Sequence, residues 1–151
     1  STRSGTYYDL GSLIEMVGAD VTRFFYLAKQ ADQHLDFDVS LAKSESKDNL
    51  YYYIQYAHAR ISSLEKKYEA AMGSLPSSIS ANECPEALIE IIQMLMKHAS
   101  TLLNSVERYQ PHLLIYFLRE LAQKVHQFYN EVRRVATVPV HQKPQWKEAF
   151  W

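Results

Sequence analysis

Cysteine, glycine and proline are all scarce in this sequence. A single cysteine, Cys84, among 151 residues excludes an internal disulfide framework and a multi-cysteine zinc site. Four glycines and five prolines are too few for the many turns of a sandwich or barrel, and they favour long helices. No apolar run approaches the roughly 20 residues of a membrane span. The N-terminus lacks the charged-then-apolar pattern of a secretory leader, so a cytoplasmic location is expected. The first residue is Ser, as expected of a piece of a longer chain or a processed form. There is no phosphate-cradling glycine loop, no serine elbow and no His-Glu-x-x-His. The six histidines, His34, His58, His98, His112, His126 and His141, share no metal-ligand spacing. Nothing beside Cys84, between Glu83 and Pro85, would activate its thiol as a nucleophile. No catalytic residue and no metal site are therefore expected, and a self-sufficient enzyme is not.

What is present can fill a core. The chain is 47% hydrophobic and 22% charged, and its length suits one globular domain. The net charge of −1 exerts no global pull on nucleic acid. Its distribution is uneven: residues 1–104 hold 9 Lys and Arg against 13 Asp and Glu, and residues 105–151 hold 7 against 4. A basic last third is compatible with a phosphate-binding face.

Periodicity predicts an all-α bundle. Leu10, Leu13, Ile14 and Val17 fall at helical spacing, with Gly18 as the stop. Asp20 is expected to cap a second helix carrying Val21, Phe24, Phe25 and Leu27. Asp32 to Asp38 reads as a connector in which Leu35-Asp-Phe37 alternates like a very short strand, and Val39–Ser46 as one or two helical turns. A long helix is predicted from about Lys47 to Met72, capped by Asp48 or Asn49 and stopped by Gly73. Its core stripe is Leu50, Ile54, Ala57, Ile61, Leu64 and Tyr68. The serine-rich stretch Ser74–Asn82 reads as a loop. Pro85 suits the first turn of a helix through Leu88, Ile91, Ile92, Leu95 and Met96, with a break near His98–Ser100 and a short helix to Tyr109. Pro111 opens the last helix, whose seam is Leu114, Leu118, Leu121, Val125, Phe128, Val132 and Val135. From Ala136 the tail has no periodicity.

The most informative stretch is Asn49-Leu-Tyr-Tyr-Tyr-Ile-Gln-Tyr-Ala-His-Ala-Arg60. Tyr53, Tyr56 and Arg60 are spaced by three and four and share one helix face beside the core stripe; Ser63 and Lys67 continue it. A second such stripe, His126, Tyr129 and Arg133 with Arg134 adjacent, flanks the seam of the last helix. Rings interleaved with cations suit unpaired nucleotides, because rings stack on bases and guanidinium groups hold phosphates. The same pattern also arises when tyrosines bridge core and solvent and the second stripe is a solvated helix face.

The string Tyr53-Ile-Gln-Tyr-Ala-His-Ala-Arg60 resembles the opening of the anticodon-binding domain of arginyl-tRNA synthetases. The flanking pieces resemble that family in order. Ser1-Thr-Arg-Ser-Gly-Thr6 is similar to the segment at its class I "KMSKS" loop, Val17-Gly-Ala-Asp-Val-Thr-Arg-Phe-Phe25 to the next helix, and His34-Leu-Asp-Phe-Asp38 to the connector after it. Phe128-Tyr-Asn-Glu-Val-Arg133 resembles the late helix. The resemblance runs from Ser1 to about Val135.

The resemblance implies a bundle of the class I anticodon-binding type, divided as 1–46, the end of the catalytic region; 47–135, the anticodon-binding bundle; and 136–151, an atypical tail. It implies a parent enzyme that joins arginine to tRNA(Arg) using ATP, with magnesium, and no cofactor in this segment. Tyr53, Tyr56 and Arg60 would face the anticodon loop, with Tyr129 and Arg133 near the same loop; Asn130 and His58 would support the bundle. The implied partner is tRNA(Arg), with no membrane and no DNA. Two departures stand out. Thr2 and Arg3 occupy the segment where the family uses a lysine on the ATP phosphates. The tail Thr137–Trp151 replaces the family's final amphipathic helix. A bundle lacking that helix would expose Leu118, Val125 and Val132, so the alternative function is a helical interaction or self-association module without RNA binding. On either reading the 151-residue chain alone should catalyse no arginine-dependent ATP–pyrophosphate exchange, since no segment can form a nucleotide-binding sheet. Detectable exchange by the pure chain would overturn this.

Overall fold

The computed structural model describes residues 8–72 and 85–136, apart from the side chains of 71, 72 and 132–136. The expected loop at Ser74–Asn82, the Gly73 stop, Cys84, most of the N-terminal segment and the tail from Thr137 lie outside them. The described residues form seven helices and no strand: α1 (Leu10–Val17), α2 (Ala19–Leu27), α3 (Val39–Lys43), α4 (Leu50–Met72), α5 (Glu86–Met96), α6 (His98–Glu107) and α7 (His112–Ala136). No helix among them is long and apolar enough to cross a membrane. The all-α expectation holds. The chain divides into two compact units, one of residues up to Ile54 with Ala99–Arg119, the other of Gln55–His98 with the residues from Glu120 onward.

In the first unit α1, α2 and α3 pack on one another, with Leu13, Val21 and Ala42 buried. Asp9 caps α1: its side chain accepts from the Ser12 backbone N–H at 2.7 Å. That hydrogen bond holds its carboxyl below the ordinary aspartate value. The cap expected at Asp20 lies instead at Gly18, which ends α1 and opens α2 with no linker between them. Its φ of 88° is open to glycine and strained for any other residue. Asp20 is thereby already inside the first turn of α2, where it pairs with Arg23 at 3.6 Å. The connector forms no strand at Leu35–Phe37. The Phe37 ring packs against Phe25 and Tyr26 at centroid distances of 5.4 and 6.0 Å.

Asn49 is a fully buried polar group of this unit. Its amide donates to the carbonyls of Leu41, Ala42 and Ser44 at 3.0, 3.2 and 2.8 Å. Its carbonyl accepts from the Tyr51 N–H at 3.1 Å, which caps α4. One side chain therefore closes the end of α3 and begins α4. At the other end of the unit, α6 stops in a left-handed turn. Tyr109 N–H donates to the Val106 carbonyl and Gln110 N–H to the Ser105 carbonyl, with Tyr109 at φ 53° where glycine is usual.

The second unit contains most of α4, all of α5 and the later part of α7. Ala57, Ile91, Met94, Ala122, Val125 and Phe128 are buried there. Lys124 of α7 reaches Glu90 of α5 at 2.6 Å, an exposed pair worth little on its own. Three details of the expected core are corrected. Ile61 is 46% exposed. On α5 the inward residues are Ile91 and Met94, while Ile92, Leu95 and Met96 are exposed. On α7 the buried apolar set is Ile115, Phe117, Ala122, Val125 and Phe128, while Leu114, Leu118 and Leu121 are half-buried. Both helices are apolar over more than one face, so spacing alone does not choose the inward side. Pro85 precedes α5 as its N-cap, and the break before α6 falls at Lys97.

Asn49→Ala should destabilise the fold by about 2–3 kcal/mol in urea unfolding, through loss of the cap and of the amide donor to the Ala42 and Ser44 carbonyls; the Leu41 carbonyl keeps the Ser44 N–H. Asn49→Asp keeps the acceptor but sets a carboxylate against those carbonyls, and should be no better. A loss below about 0.5 kcal/mol in both would show that water replaces the amide.

Candidate nucleic-acid interface

The interface is assembled from two helices of the second unit. On α4, Tyr56 and Arg60 are one turn apart, so their side chains meet. On α7, His126 and Tyr129 are three apart and share a face. The Arg60 guanidinium carbon sits 4.3 Å from the centre of the Tyr56 ring and 4.5 Å from that of Tyr129. The cation is thus held by two rings, each contact worth about 0.5–2 kcal/mol. Arg60 Nη2 donates to the Tyr56 hydroxyl at 3.1 Å, and Nη1 lies 3.1 Å from His126 Nδ1.

The last contact assigns the imidazole. A guanidinium has donors only, so Nδ1 must accept, and the proton of the neutral ring sits on Nε2. His126 is 7% exposed, and its ring packs against Tyr56 at 5.5 Å. The expectation of a solvated face for that stripe fails at His126, because Arg60 and Tyr56 cover it. Tyr56 itself is 55% exposed. Arg60 and Tyr129 are half-buried. Two of the five N–H donors of Arg60 are engaged among the described residues.

Of the five residues expected at the site, Tyr56, Arg60 and Tyr129 are brought together. Tyr53 is half-buried, belongs to the first unit and has an interaction of its own. Arg133 lies on α7, with its side chain outside the described residues. His126 was legible as part of a stripe, but its role as acceptor was not. The supporting roles expected of His58 and Asn130 are corrected: both are exposed. Among the described residues no group of His, Cys, Asp and Glu could hold a metal ion.

A family model described as the DALR anticodon-binding domain matches residues 54–145, which include this whole cluster. The chain belongs to the DALR anticodon-binding domain family. The DALR chain is 40% identical over 133 residues to the arginine–tRNA ligase of Nitrosospira multiformis, covering 88% of itself and 23% of that protein. It is 44% identical over 138 residues to the arginine–tRNA ligase of Psychrobacter arcticus, covering 88% and 22%. It spans less than a quarter of the length of these curated relatives. A crystal structure assigned to an arginyl-tRNA synthetase from Campylobacter jejuni superposes on 95% of the DALR chain and 32% of its own, with TM-score 0.70 and 25% identity.

His126→Phe keeps ring and burial but removes the acceptor. It should cost about 1.5–3 kcal/mol in unfolding free energy, the range for a hydrogen bond to a charged group. Combined with Arg60→Met in a double-mutant cycle, it should show a coupling of at least about 0.5 kcal/mol. Additive effects would show that Arg60 does not depend on the imidazole.

Proposed function

We propose that this chain is the anticodon-binding part of an arginine–tRNA ligase, and that Tyr56, Arg60 and Tyr129, with Tyr53 and Arg133, meet the anticodon loop of tRNA(Arg). In the parent enzyme, arginine would be activated by ATP, with magnesium, in a catalytic region of which residues 1–46 are the end. Residues 47–135 would be the binding bundle and 136–151 a distinct tail. The observation that carries the reading is the Arg60 guanidinium lying over both the Tyr56 and the Tyr129 ring. The arrangement favours unpaired bases for a physical reason. Tyrosine rings supply sequence-tolerant stacking of about 1–3 kcal/mol per base. A guanidinium already held by two rings and an imidazole loses little further freedom when it grips a phosphate or a base edge.

Tyr56→Ala should weaken the affinity of the chain for a tRNA(Arg) transcript about ten-fold, by loss of one stack. Arginine activation in the parent enzyme should barely change. A Tyr56 that merely bridges core and solvent would instead lower thermal stability and leave affinity intact. Measuring both quantities on the same variant separates the two, and an unaltered affinity would sink the stacking role.

A further inference from the structure

Beyond Arg60, α4 carries a second feature that the stacking role does not use. Ala59, Ser62, Ser63, Lys66, Lys67 and Ala70 line an open groove of about 500 Å³. Tyr56, Arg60, Ser63 and Lys67 follow in steps of four, three and four, so the Ser63 and Lys67 side of the groove continues the face that carries the clamp, while Lys66 stands about 120° round the helix from Arg60. Lys67 stands about 10 Å along the helix axis from Arg60.

The lining has a definite chemistry. Two alanines and two serines make a low floor that a chain can approach closely. The hydroxyls and two ammonium groups supply donors, and among the described residues the lining has no aromatic ring and no carboxylate. Glu65 and Glu69 lie about 160° around the helix from Lys67, and Glu69 lies about 60° from Lys66. Among the described residues neither Lys66 nor Lys67 is within ion-pair distance of an acid. Both lysines are exposed. An open groove of this kind does not enclose a single anion, but it suits a polymer of regularly spaced negative charges that is already anchored at one end.

We infer that this groove carries the sugar–phosphate backbone of nucleotides adjoining the stacked anticodon bases, with Lys66 and Lys67 each paired to a phosphate. The inference rests on the anticodon reading of Tyr56 and Arg60 and divides the labour along α4. The turn at Tyr56 and Arg60 takes bases; the turns from Ser62 to Ala70 take backbone and fix the direction in which the strand leaves.

The test is a salt titration of binding between the 151-residue chain and a synthetic anticodon stem–loop of an arginine tRNA. Each phosphate contact on a single strand contributes about 0.7 to the slope of log K against log salt. The double variant Lys66→Gln/Lys67→Gln should therefore flatten the slope by about 1.4 and weaken binding several-fold near physiological salt. Its thermal midpoint should stay in place, because both side chains are exposed. Lys66→Arg/Lys67→Arg should restore slope and affinity, whereas Tyr56→Ala should lower affinity and keep the slope. An unchanged slope in the glutamine variant, with Tyr56→Ala still weakened, overturns the groove and leaves the anticodon reading standing. Absence of binding by the unsubstituted chain overturns both. If Glu65→Gln/Glu69→Gln strengthens binding as much as the lysine changes weaken it, the helix acts only through its net charge, and the groove assignment falls.

Discussion

The Arg60 guanidinium joins side chains 66 positions apart in the sequence, from the middle of α4 to the middle of α7. It does so with contacts of several kinds at once: two ring faces, a phenolic oxygen and an imidazole nitrogen. A half-buried cation without such partners would lose hydration and gain nothing in return. Here the rings replace part of its hydration electrostatically, and the acceptors satisfy two of its protons. The other features of the interface follow from this. Tyr56 is held with its ring exposed, His126 is assigned one tautomer, and Tyr129 is oriented from the opposite helix.

The start of α4 is fixed at its first turn. Asn49 starts the helix by accepting from Tyr51 while its amide ties down the end of α3. Seven and eleven residues later the helix presents Tyr56 and Arg60. The chain achieves its other sharp boundaries with equally few devices. Gly18 serves as stop and start together, and Tyr109 adopts the left-handed turn that ends α6. Scarcity of glycine thus puts a bulky residue in a glycine position.

The proposed division of α4 into a base-stacking turn and a backbone-binding groove is a consequence of helix geometry. A single straight helix offers one continuous face, and residue type along that face changes from aromatic to small, hydroxylated and cationic. Strand direction can then be read by a rigid element, with no need of a mobile loop.

Much of the helical order was legible in the sequence, because periodicity, caps and the scarcity of turn residues all act locally. The two ends of α1, the start of α4 after Asn49 and the long α7 after Pro111 belong to this class. So does the shared face of Tyr56 and Arg60, which three-and-four spacing determines without reference to anything else. The string from Tyr53 to Arg60 also carried the family resemblance. What remained hidden was non-local. Spacing could not choose between Ile92 and Met94 as the inward side of α5, nor exclude Ile61 from the core, since apolar residues occupy more than one face. Nor could it distinguish a solvated His126 from a buried acceptor. Helical period specifies which residues of one helix stand together, whereas the partner that meets them is set by packing between segments far apart in the chain. Only the tertiary structure decided that the cation of Arg60 lies over both Tyr56 and Tyr129 and within hydrogen-bond reach of His126.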